Sequence, residues 1–171
     1  CGLLMIPGVE LSAMEYDNLH ILGYGFSPDN EELQELCTFA LTERERHTQY
    51  IIDFLHRKGI QIDLEEVKAL AGQAAIGRPH FAKAMVEHGY VANSREAFDR
   101  YLDTEEYHRV DRKKPPAQIC IETIHKAGGF AVLAHPYQLY LEPESLEEQI
   151  RIFKSYGLDG IECLYPKHSP E

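Results

Sequence analysis

Three ionisable side chains interrupt runs that otherwise read as core. Glu10 lies between Val9 and Leu11 in the stretch Pro7 to Phe26, PGVELSAMEYDNLHILGYGF, and His20 follows between Leu19 and Ile21. His135 closes a third apolar run, Phe130-Ala131-Val132-Leu133-Ala134-His135-Pro136. Burying any one of them alone costs several kcal/mol or forces its neutralisation, so each requires a partner. Taken singly, a strand-end Glu or His satisfied by backbone hydrogen bonds is the simpler account. Taken together, one acid and two imidazoles at two strand ends and one strand start suit a divalent cation. In α/β sheets ligands gather beyond the carboxyl ends of parallel strands, and Glu10 and His135 are expected to project there.

The elements that must position these residues follow from the apolar pattern. Ser27-Pro28-Asp29 starts a long helix whose apolar positions recur at three and four residues and which ends at Lys58-Gly59. Asp63 and Glu66 read as a capping box for a short helix from Leu64 to Leu70. Arg78-Pro79 opens a third helix and Ser94 caps a fourth. Four helices with no strand between them read as an inserted helical subdomain, residues 29–114, between sheet-forming parts at 1–28 and 115–171. After Pro116 the pattern gives a helix from Ala117 to Lys126, a strand from Phe130 to His135, a helix from Leu146 to Tyr156 and a strand from Gly160 to Leu164. That last β-α-β order predicts a right-handed parallel pair.

Composition sets the context. The 171 residues are 44% hydrophobic, enough for a substantial core, and no run is long enough to span a bilayer. With no signal-peptide pattern, a cytoplasmic location and no membrane partner are expected. The four cysteines, Cys1, Cys37, Cys120 and Cys163, show no CxxC spacing and read as reduced thiols, with Cys120 and Cys163 in apolar runs and expected to be buried. A formal charge of -11 argues against a non-specific nucleic-acid surface, which needs clustered Lys and Arg. An anionic substrate would instead be met by cations and a few arginines within a cleft.

Two basic features fit that need. Gly77-Arg78-Pro79-His80 stands at a helix start, where free N–H groups, the helix dipole and a guanidinium make a phosphate seat; a Pro turn with a solvent-facing Arg explains it equally well. Arg109, Arg112, Lys113 and Lys114 form a basic run that either meets a second phosphate or is a solvated linker. Glu162, at the end of the last strand, reads as an acid orienting a metal-bound His or as an ordinary strand-end carboxylate.

The ordered set GVELSA, HILGYGF, GRPHFA, AGGFAVLAHP, DGIE and HSPE resembles the PHP superfamily, the polymerase and histidinol phosphatase domains. Within it the chain is most similar to small bacterial phosphoesterases acting on nucleoside bisphosphates and short RNA. The resemblance implies an α/β fold, part of a distorted PHP-type β/α barrel, with the helical insertion covering its cleft. It implies Glu10, His20 and His135 as metal ligands, with Glu10 bridging two cations. Mn is expected, with Fe or Zn as alternatives, and up to three ions in a complete domain. Arg78, His80 and Arg112 become substrate-binding residues, and His168 of the HSPE segment a catalytic proton donor or substrate contact.

The implied reaction is hydrolysis of a phosphate ester by metal-activated water, on a nucleotide, a nucleoside 3′,5′-bisphosphate or a short oligonucleotide. Alternatives are a phosphatase of another small phosphorylated metabolite and a catalytically silent module serving assembly. The family's HxH, DHD-like and SDxH motifs do not occur, so the chain is expected to be an internal portion of a longer domain, inactive by itself and binding one metal or binding weakly. A sheet cut at both ends would also leave unpaired edges that invite self-association.

Overall fold

A computed structural model of the protein describes residues 2–109 and 112–164. Four strands form one sheet in the order β1 (Gly8–Ser12), β2 (His20–Tyr24), β3 (Phe130–Leu133) and β4 (Gly160–Ile161). The seven residues between β1 and β2 are too few for a crossover, so the two pair antiparallel, with Glu10 opposite Leu22 and Ser12 opposite His20. β3 joins β2 antiparallel, Ile21 opposite Leu133, and only β3 and β4 run parallel, Leu133 opposite Ile161.

This corrects the expected architecture. The described strands make a small open sheet with β1 and β4 as its edges, and helices predominate, so the fold is a helical α/β arrangement and not a PHP-type β/α barrel. A β/α barrel is built from parallel strands, each reached through a crossover helix, whereas two of the three pairings here are antiparallel. Glu10 accordingly lies in the middle of an antiparallel edge strand rather than at the carboxyl end of a parallel one.

Alternation along the strands separates two faces. Leu11, Ile21, Ala131 and Leu133 turn inward and are fully or almost fully buried against Cys120, Ile121 and Ile124 of α6 (Ala117–Lys126) and Phe153 of α7 (Pro143–Ser155). Each buried Leu, Ile or Phe contributes about 1.5–3 kcal/mol. Glu10, His20, Tyr24 and Phe130 belong to the opposite alternation and keep solvent contact. Burial pushes the Cys120 thiol up to about 12. Cys163, expected inside, is exposed, two residues past the end of β4 at Ile161.

The helices between β2 and α6 are α1 (Glu31–Arg57), α2 (Leu64–Ala71), α3 (Arg78–Glu87), α4 (Ser94–Ala97) and α5 (Glu105–His108), with a π-helical turn at Phe98–Leu102. Asn30 caps α1 by accepting from the Leu33 amide at 2.9 Å. The expected capping box at Asp63 does not form, since its side chain accepts no bond from α2. At α4 the cap is Asn93, which accepts from the Glu96 amide at 3.0 Å, rather than Ser94.

The chain divides into two compact units, residues 1–41 with 113–171, and residues 42–112. The first holds the sheet and its core. The second has its own core of Ile51, Phe54, Leu55, Phe81, Met85 and Leu102 among others.

Candidate metal centre

β1 and β2 bring Glu10 and His20 to the same sheet face because they occupy positions of the same alternation, one register step apart. His135 arrives from the turn after β3, where Ala134 donates its amide to the His20 carbonyl at 3.1 Å. Three atoms then converge. His20 Nδ1 lies 3.0 Å from His135 Nε2 and 3.1 Å from Glu10 Oε1, and His135 Nε2 lies 3.5 Å from the same oxygen. Glu10, His20 and His135 are the one cluster of at least three such side chains, among the described residues, able to hold a metal ion.

The triangle fits a cation. Ligand bonds of about 2.1 Å place neighbouring donors roughly 3.0 Å apart in octahedral and roughly 3.4 Å apart in tetrahedral geometry, close to the observed edges. Two ring nitrogens and a carboxylate oxygen aimed at one point need a cation or a shared proton between them. The set is graded in exposure: the His135 side chain is 13% accessible, His20 26% and Glu10 52%, so the site opens to solvent on the carboxylate side.

The turn that carries His20 into β2 is fastened by side chains whose part the sequence did not reveal. Lys114 Nζ donates to the carbonyls of Tyr16 and Asp17, at 3.4 and 3.0 Å, Asn18 Nδ2 donates to the Gln138 carbonyl at 3.3 Å, and Glu15 Oε1 accepts from the first amide of α6 at 2.8 Å. Lys114 thus braces a loop, a use its place in a basic run did not suggest. Asn18 and Glu15 bond partners more than 100 residues away, which leaves no local pattern to find them by.

Arg78, His80 and Arg112, also expected at the site, belong to the second unit. Arg78 Nη1 is paired with Asp103 at 3.0 Å and reaches the Leu102 carbonyl at 3.4 Å, while its guanidinium lies over the rings of Phe98 and Tyr107. The bond from His108 and the charge of Arg78 hold the Asp103 carboxyl below its ordinary range. His80 Nδ1 accepts from the Gly77 amide at 3.0 Å and so closes the start of α3. Arg112 is half-buried, and its Nε is enclosed with no hydrogen-bond partner among the described residues. Burial, reinforced by the nearby Arg44, pushes the Arg112 guanidinium down, with Glu43 pulling partly the other way. His168 lies outside the described residues.

The fold and the cluster together define a sheet-borne site of two histidines and one carboxylate, a donor set suited to a divalent metal. No family model matches the chain. Among curated proteins it is 34% identical over 162 residues to a 5′-3′ exoribonuclease of Haemophilus influenzae, covering 94% of this chain and 59% of that protein. It is 27% identical over 170 residues to a 3′,5′-nucleoside bisphosphate phosphatase of Chromobacterium violaceum, covering 98% of this chain and 60% of that protein. Among solved structures, an amidohydrolase from Chromobacterium violaceum with bound sulfate and no metal superposes with a TM-score of 0.75 at 26% identity, over 91% of this chain and 56% of that one.

The chain thus spans about three fifths of the length of these curated relatives. These likenesses, with the open sheet, correct the superfamily assignment: what they support is similarity to the exoribonuclease and the nucleoside bisphosphate phosphatase named, and not a closed PHP-type barrel. Among the described residues no helix is long and apolar enough to cross a membrane.

Proposed function

We propose that the protein takes part in metal-dependent hydrolysis of a phosphate ester on a nucleotide, a nucleoside 3′,5′-bisphosphate or a short oligonucleotide. The observation that carries this reading is the convergence of Glu10 Oε1, His20 Nδ1 and His135 Nε2 within hydrogen-bonding distance of one another. Glu10, His20 and His135 would hold one divalent ion, with Mn the expected metal and Fe or Zn compatible with the same donors. Such an ion supplies Lewis acidity toward a phosphoryl oxygen and acidifies water. Support for the substrate class comes from the relatives, whose names describe cleavage of phosphate esters in RNA and in a nucleoside bisphosphate.

The chain's own residues do the rest of the work. His20 and His135 offer neutral imidazole nitrogens, and their T-shaped ring contact, 5.0 Å between centroids, fixes which edge each presents. Glu10, the most exposed of the three, contributes the negative charge that offsets a dication without neutralising it, leaving attraction for an anionic ester. Arg112 is a candidate receiver of a phosphate, because its Nε has no acceptor among the described residues. Arg78 and His80 are candidates of a second kind, able to meet an anion only through the donors that Asp103 and Gly77 leave over.

The test is phosphate release from a nucleoside 3′,5′-bisphosphate by the intact protein with Mn, before and after chelation, together with Glu10→Ala and His20→Ala. Release should stop on chelation, return with metal, and fall at least 100-fold in either variant. Undiminished release by the chelated protein would remove the reading.

A further inference from the structure

We propose that Glu162 is a positioning residue: its carboxylate clamps the His135 backbone in a left-handed conformation that turns the imidazole toward Glu10 and His20. The role deepens the metal-centre reading above and rests on it. His135 has φ 27° and ψ 60°, and among the described residues other than glycine only Tyr140 shares a positive φ. A side chain in that region costs about 1–3 kcal/mol and persists only where surrounding bonds dictate it. The next residue is Pro136, whose ring favours an extended predecessor, so the local sequence also opposes the observed geometry.

The opposing hold is visible. Glu162 Oε2 accepts from the His135 amide at 2.7 Å, a short charge-assisted bond, and the Glu162 amide donates to the Leu133 carbonyl at 2.9 Å. One residue of the chain leaving β4 therefore grips β3 and the turn after it at two points. On the other side the His135 carbonyl accepts from the Gln138 amide at 2.9 Å, and Ala134 is tied to His20. With the Glu162 bond removed, relaxation toward extended backbone carries Nε2 away from His20 Nδ1 and Glu10 Oε1. The requirement is for an acceptor oxygen at the reach of a glutamate, which separates position from charge: Gln satisfies it, and Asp, one methylene shorter, does not.

The experiment compares the intact protein with Glu162→Gln, Glu162→Asp and Glu162→Ala by amide exchange at His135 without metal and by titration with Co(II) followed in the visible spectrum. Glu162→Gln should keep His135 protection and bind Co(II) within about threefold of the parent. Glu162→Asp and Glu162→Ala should lose that protection and bind roughly 10–100-fold more weakly, the range found for residues that orient metal ligands. A Glu162→Asp protein that matches the parent while Glu162→Gln loses affinity would show that charge is what matters and overturn the proposal. Unchanged protection and affinity in Glu162→Ala would do the same. Should Glu162→Ala not fold, the Gln and Asp pair decides. If the parent and His20→Ala bind Co(II) alike, the metal-centre reading fails, while exchange at His135 still reports on the clamp.

Discussion

At the scale of single residues, Arg112 is the energetic anomaly of its unit. Its guanidinium is half-buried with an enclosed Nε, and Glu43, an acid that acts on it, already gives both oxygens to Arg46. A charge in such a place, beside the like charge of Arg44, costs stability that an apolar side chain of similar length would not. Arg112→Met should therefore keep or slightly raise the Tm. If the position serves phosphate, the same substitution raises KM for a nucleotide substrate roughly 10–150-fold with little change in kcat, the loss of one charged hydrogen bond worth roughly 1.5–3 kcal/mol. Thermal scans and steady-state kinetics on one preparation separate the roles: a Tm falling by many degrees with KM intact would make Arg112 a structural residue.

At the scale of elements, packing between β2, β3 and α6 is tight where Gly128 and Gly129 join α6 to β3. Gly128 ends the helix with φ 82°, but Gly129 is needed for space: a Cβ there would stand 2.9 Å from the Tyr24 carbonyl oxygen, 2.9 Å from Phe26 Cβ and 3.1 Å from Ile124 Cγ2. The carbonyl belongs to β2 and cannot retreat without disturbing the strand that carries His20. Gly129→Ala should cost about 1–3 kcal/mol, the price of overpacking, and lower the Tm by about 2–4 °C for each kcal/mol. A Tm within a degree of the parent would mean the α6 to β3 junction yields more easily than its contacts suggest.

The same elements show what the sequence could and could not disclose. α1, α3 and α6 were legible because each buries a periodic apolar stripe, and Glu10, His20 and His135 because charge inside an apolar run demands a reason. The four-residue helices α4 and α5 are too short to display a period. The pairing of Ile21 with Leu133 links positions more than 100 residues apart, and only such pairings reveal an open, mostly antiparallel sheet where a parallel one was expected. The left-handed backbone of His135 is equally silent, since the proline after it argues for the opposite conformation.

At the scale of the whole molecule, stability is divided between two cores while the candidate centre draws on one of them. Glu10, His20 and His135 all belong to the unit of residues 1–41 and 113–171, and residues 42–112 bury their own set around Phe54, Phe81 and Met85. A ligand that binds only the folded form stabilises what must unfold to release it, by about 2.7 kcal/mol at a hundred times its dissociation constant. A metal held by these three residues ties β1, β2 and the turn after β3 together, so its stabilisation should fall on the sheet-bearing unit. Hydrogen exchange with and without Mn or Co(II) should show peptides from residues 2–41 and 113–164 slowing by roughly tenfold or more, while those from residues 42–109 change little. Chelation should reverse the difference, and His20→Ala should abolish it. A uniform gain across both sets of peptides would show that the units unfold as one cooperative body; a gain confined to residues 42–109 would place the metal elsewhere.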